Sequence, residues 1–181
     1  MRKALPLAAI AVLCAAPAMM PALALDLPAR KAGLWEIKMA FEGRNLPAQT
    51  VEHCIDAETD KMMNSIGGNL QKEACSKQDV TKVGNTIVVD SVCKFGQSTT
   101  TSHGVVSGDF NSAYTVKVTS KREGGAPAPG MPAESTSNMT IDAKWLGACK
   151  ADQKPGDMII AGRKINVRDM QNMLPGAGQK K

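Results

Sequence analysis

The groups in this 181-residue chain whose types and spacing could do chemistry are five cysteines, two histidines and seventeen carboxylates. Cys14 lies in an apolar N-terminal run; the other four, Cys54, Cys75, Cys93 and Cys149, follow one another at intervals of 21, 18 and 56 residues. Zinc sites draw two ligands from one tight turn, as in Cys-x-x-Cys, and no such pair exists here. Two disulfides in an oxidising compartment are therefore expected in place of a metal site. Four cysteines allow three pairings. Pairing Val80 with Val89 across Gly84-Asn85 sets Cys75 opposite Lys94 and not Cys93. If the strands run simply up and down, Cys54, Cys75 and Cys93 share one end of the sheet and Cys149 needs the chain to fold back after Gly147. The reading leans to Cys54–Cys75, clamping a helix, with Cys93–Cys149.

His53 precedes Cys54, and His103 sits among Thr99, Thr101 and Val105. A Cys–His nucleophile needs a free thiol, and an even set of bridged cysteines leaves none. Both histidines read as fold-supporting or exposed. The serines form no Gly-x-Ser-x-Gly elbow, and no glycine-rich phosphate loop follows a strand. Glu36, Asp79, Asp90 and Asp142 lie on predicted strands, mostly facing outward, and nothing selects an acid and a base among them. No catalytic, cofactor-binding or metal-binding residue, and no cofactor, is expected. Asn138-Met139-Thr140 matches a glycosylation sequon but falls in mid-strand.

The elements that must position these groups are mostly strands. Period-two alternation marks Leu34 to Glu42, Gln49 to Ile55, Cys75 to Val83, Thr86 to Phe95, Ser98 to Phe110, Ala113 to Arg122 and Ser135 to Leu146. In the last of these Met139, Ile141, Ala143 and Trp145 share a face, with Asn138, Thr140, Asp142 and Lys144 opposite. Gly96-Gln97 and Asn111-Ser112 suit two-residue hairpin turns. The Gly- and Pro-rich run from Glu123 to Glu134 reads as a long mobile loop. Asp56 can cap a helix of about three turns, with Ile55, Thr59, Met62, Met63 and Ile66 on one side and Gly67-Gly68 at its end. Beyond Cys149 there is an apolar patch at Met158 to Ala161 and a second helical stretch from Asn166 to Leu174, stopped by Pro175-Gly176. The predicted fold is mainly β: an antiparallel up-and-down meander of about seven strands, curled into a sheet or partial barrel, with one inserted short helix.

Residues 1–24 have the layout of an export signal. Arg2 and Lys3 precede the apolar run Ala4 to Ala16, and Ala22-Leu23-Ala24 supplies small residues for cleavage after Ala24. Leu13 before Cys14 argues against a lipid-modified cysteine. The mature chain would be one β-rich domain over residues 32–149 and a basic tail over 150–181, partly disordered. That tail carries seven Lys or Arg against three Asp. The expected location is the bacterial periplasm, which makes nucleic acid an unsuitable partner. It leaves the tail at most weak peripheral contact with anionic envelope surfaces.

Gly33-Leu34-Trp35-Glu36 and Leu146-Gly147-Ala148-Cys149, with Cys54 before a helix, Cys75 opening the next hairpin and Cys93 in a strand, resemble the domain-of-unknown-function family 3617 of exported bacterial proteins. The resemblance covers most of residues 32–149 and implies a β-rich periplasmic fold. It carries over no catalytic residue.

Two functions remain open at this level. One is a non-catalytic binding or interaction module of the envelope, with a concave apolar sheet face for a lipid-like small molecule or for a partner protein. The other is a hydrolase or other enzyme with a site at the sheet rim near Gly124 to Glu134, using His103 or a strand carboxylate.

Overall fold

A computed structural model describes residues 27–43, 47–125 and 134–173. The proposed signal segment and its cleavage point, most of the 124–134 loop and the last eight residues lie outside the described residues.

Nine strands form one antiparallel sheet: β1 (Gly33–Phe41), β2 (Gln49–Ile55), β3 (Cys75–Val83), β4 (Thr86–Phe95), β5 (Ser98–Asp109), β6 (Ala113–Gly124), β7 (Ser135–Gly147), β8 (Asp157–Ile160) and β9 (Arg163–Asn166). Two helices, α1 (Ala57–Ala74) and α2 (Val167–Met173), complete the described residues. The strand order is β3-β4-β5-β6-β7-β1-β2-β8-β9, so the meander runs from β3 to β7 and β1 returns to lie between β7 and β2. The sheet does not close; β3 and β9 are its edges. Mainly-β class and antiparallel meander are as the alternation predicts. Two strands are added from the segment expected to be a basic tail: β8 pairs with β2 and β9 with β8, so residues 157–166 continue the sheet past Cys149.

α1 differs from expectation in length. Asp56 caps it, its Oδ1 accepting from the Thr59 N–H at 2.8 Å, while Thr59 Oγ1 accepts from the Asp56 N–H at 3.0 Å. Glu58 and Asp60 occupy the first turn, where carboxylates suit the positive end of the dipole. The helix does not stop at Gly67-Gly68 but runs 18 residues, to Ala74. Good helix formers follow the glycine pair, and the chain leaves the helix only where Cys75 turns to extended backbone and enters β3.

That length sets the shape of the sheet. Register puts the start of β3 in line with Ser135 of β7, and His53, two residues before the end of β2, in line with Trp145 of β7. α1 therefore crosses diagonally from one end of β2 to the opposite end of β3. On a flat sheet those points would be about 44 Å apart, from six inter-strand steps of ~4.8 Å and ten residues of ~3.3 Å. Eighteen helical residues span only about 27 Å. The two wings of the sheet must curl toward each other for the helix to join them.

The core sits where α1 begins. Trp35, Ile55 and Ala143 are buried there, with Ile37, Tyr114 and Trp145 packed around them. Trp35 donates through Nε1 to the Lys31 carbonyl at 2.8 Å, and its ring lies 5.6 Å from that of Tyr114, which stacks on Phe110 at 4.7 Å. Gly33 makes the entry possible. Its φ of +131° is open to glycine, and a Cβ there would run into the Gly147 carbonyl.

Candidate functional site

Both predicted disulfide partners change. The bridges are Cys54–Cys149 and Cys75–Cys93, not Cys54–Cys75 and Cys93–Cys149. Two local causes account for the correction. Because α1 runs the full diagonal, Cys54 and Cys75 lie at opposite ends of the sheet. A bulge between Cys75 and Lys77 then moves the β3–β4 register by one residue, so that Cys75 faces Cys93 and not Lys94. The chain does fold back after Gly147, which carries Cys149 to Cys54.

The histidines are far apart in role and place. His103 is on the outer face of β5, exposed, with Nδ1 2.7 Å from Asp90 Oδ1 on β4. His53 is 2% exposed on the inner face of β2, and among the described residues its Nε2 has no hydrogen-bond partner. Burial pulls its pKa down to about 4, helped by the Arg30 charge and opposed by Asp60. The predicted strand carboxylates are engaged separately: Glu36 with Lys38, Asp79 with Lys77, Asp90 with His103, and Asp142 with the Thr115 hydroxyl. Each pair lies on the outer face, where the β3–β4 register sets Asp79 directly opposite Asp90, and Glu36 and Asp142 line one shallow hollow with Lys38, Thr115 and Lys144. Among the described residues no group of three or more His, Cys, Asp and Glu side chains could hold a metal ion.

A polar cluster that sequence reasoning missed fastens α1 to the inner face. Asp60, 1% exposed, accepts from Arg30 Nε at 2.8 Å and from the Arg30 backbone N–H at 2.9 Å. Burial raises the pKa of the Tyr114 hydroxyl, against the pull of the Arg30 guanidinium. No spacing in the sequence signals this contact, since Arg30 precedes the first strand and Asp60 reads as a first-turn helix residue.

The inner face itself is graded along the strands. Nearest the core, Tyr114, Ala143 and Ile37 align across β6, β7 and β1. The next two rows are aliphatic: Ile87, Val106, Val116, Ile141 and Met39, then Val80, Val89, Gly104, Val118 and Met139. Beyond these the same face turns polar, with Ser91, Ser102, Ser120 and Ser137 in one row and Thr100, Arg122 and Ser135 in the row after it. Ser102 and Ser120 share a 2.9 Å hydrogen bond. Arg122 donates from Nε and Nη2 to Ser98 Oγ at 3.2 and 3.1 Å. This inward series, Tyr114-Val116-Val118-Ser120-Arg122, was present in the period-two count of β6.

A protein-family model described as a protein of unknown function (DUF3617) matches residues 30–149. The chain belongs to DUF3617. The match begins at Arg30 and ends at Cys149, so the DUF3617 region holds α1, seven strands and both disulfides; β8, β9 and α2 follow it. No curated protein and no solved structure matches the chain. Two disulfides in a DUF3617 chain suggest an oxidising compartment outside the cytoplasm. Among the described residues no helix is long and apolar enough to cross a membrane. Three basic residues beyond the match are in ion pairs: Lys150 with Glu52, Lys164 with Asp152 and Arg168 with Glu58.

Proposed function

We propose that this DUF3617 protein is an exported, non-catalytic binding module that holds a lipid-like apolar ligand between the curled sheet and α1. One observation carries the reading. Val116, Val118, Met139 and Ile141 stay only partly buried in the middle of the inner face, although α1 runs diagonally over that side of the sheet. A sheet face fully packed by a helix would bury such side chains, and each one left partly in water forgoes some of the ~1.5–3 kcal/mol that full burial contributes. Contiguous apolar surface of this kind marks a site for a ligand or partner. The position fits the periplasm, where the cysteines would be oxidised and the N-terminal segment removed after Ala24.

The test is saturable uptake of the fluorescent probe phenylnaphthylamine by purified protein, with native mass spectrometry for co-purifying amphiphiles. Val118→Trp and Met139→Trp, which fill the middle of the face, should each weaken probe binding by about tenfold, near 1.4 kcal/mol. Absence of saturable uptake by a folded, oxidised protein would remove the proposal.

A further inference from the structure

Resting on that reading, we infer that the ligand is a long-chain carboxylate, its head group at Lys82 on the open β3 edge and its acyl chain crossing the strands toward β1. The register draws this path. Lys82, Ile87, Val106, Val116, Ile141 and Met39 are successive partners across β3, β4, β5, β6, β7 and β1, all facing inward. Five inter-strand steps of ~4.8 Å make this row about 24 Å long. Val80, Val89, Gly104, Val118 and Met139 form a second aliphatic row beside it. At the β3 edge the first row opens into a hollow of about 260 Å³, whose walls include Pro28, Lys82, Asn85, Ile87, Val106 and Phe110. Ile87 and Val106 are buried there, while Lys82 and Asn85 stand exposed. The hollow is therefore apolar within and polar toward solvent, the order of an amphiphile's parts.

Charge selects the head group. Among the described residues neither the Lys82 ammonium nor the Asn85 amide is held by an ion pair or side-chain hydrogen bond. The other inward cations are placed differently: Arg122 is bound to Ser98 and engaged further, and Arg163 lies on the opposite edge strand, β9. The carboxylates around the face are distant or committed. Glu73 ends α1 just before Cys75, and from Cys75 to Lys82 is about 23 Å of strand at ~3.3 Å per residue. Asp56 caps α1, Glu58 pairs with Arg168 and Asp60 with Arg30. On the outer face Asp79 pairs with Lys77, and Asp109 is held by Asn111 and Ser112. Asp26, two residues before Pro28, lies outside the described residues. One ammonium and one amide supply a donor for each oxygen of a carboxylate. Lysine acts as a point charge, without the fork that arginine offers a phosphate.

The experiment compares palmitate with palmitamide, each below its micelle concentration, as displacers of phenylnaphthylamine from the oxidised full chain at about pH 8, where the free carboxyl is ionised. Palmitate should bind about tenfold more tightly at low salt, and the preference should shrink as salt rises. Lys82→Gln should abolish the preference while changing palmitamide binding by less than about twofold, and Lys82→Arg should keep most of it. Circular dichroism checks that the variants fold, and Lys117→Gln, on the outer face of β6, is the charge-matched control and should leave the preference intact. Equal affinity for the two compounds, or a preference that survives Lys82→Gln, overturns this inference and leaves the apolar site standing. So does a tenfold gain in palmitate binding on Asp26→Asn, which would make that carboxylate the partner of Lys82. Hexadecyl phosphate binding as tightly as palmitate overturns the carboxylate assignment. Failure of every one of these amphiphiles to displace the probe overturns the reading on which the inference rests.

Discussion

Arg30 holds Asp60 twice, through its backbone N–H to one carboxylate oxygen and through Nε to the other. Both side chains are nearly out of solvent, at 10% and 2% exposure. The pair ties the segment before the first strand to the first turn of α1, thirty residues later in the chain. Breaking it leaves a buried charge alone. Asp60→Ala should lower unfolding free energy by about 3–5 kcal/mol in urea titrations. Arg30→Met with Asp60→Leu should recover most of that loss, because the lost charges are then replaced by apolar volume. A cost below about 1 kcal/mol for Asp60→Ala would show that the pair does not fasten the helix.

His53 makes stability depend on acid. Its folded pKa, about 4, lies below the ordinary histidine value of 6.5, so the unfolded chain takes up the proton first as pH falls. The contribution is whole above about pH 6.5 and is lost progressively down to about pH 4, amounting to about 3 kcal/mol over that window. His53→Phe should flatten this part of the stability–pH curve, measured by chemical denaturation at each pH. An unchanged slope in the variant would assign the acid sensitivity to other groups.

The two bridges should differ in weight. Cys54–Cys149 closes 95 residues and Cys75–Cys93 closes 18. Chain-entropy arguments give about 5 and about 3 kcal/mol for such loops. Paired serine replacements should therefore lower the melting temperature more for the first bridge than for the second. Non-reducing peptide mapping should recover these two linkages, and a Cys54–Cys75 peptide would contradict the register of β3.

Gly33 should tolerate no side chain. At φ +131° a Cβ meets the Gly147 carbonyl and the Trp145 indole nitrogen, both of them part of the β1–β7 seam. Gly33→Ala should cost about 2 kcal/mol or more by denaturant titration. Gly43→Ala, also at positive φ but with open space around it, should cost less.

Strand positions were legible in the sequence because alternation is a local property. Each of the seven predicted strands is found within two residues of its expected ends. The cysteine pairing was not legible, because it depended on one bulged residue at Ser76 and on a helix continuing through two glycines. Either shifts partners by a whole strand length or by one register step without altering the pattern of apolar residues. The tail misled in a related way: Met158 to Ala161 gave an apolar patch, but only pairing with β2 could make four residues a strand.

By itself the sequence determined the mainly-β class, the inward and outward faces of the strands and the cap of α1, all of which follow from residues close together in the chain. Tertiary structure decided what those faces meet. It curled the sheet through the reach of α1, buried His53 with its Nε2 unpaired among the described residues, joined Arg30 to Asp60, and brought Arg122 into line with a row of hydroxyls. Such relationships join strands and a helix far apart in the sequence, and their register is set only when the whole sheet assembles.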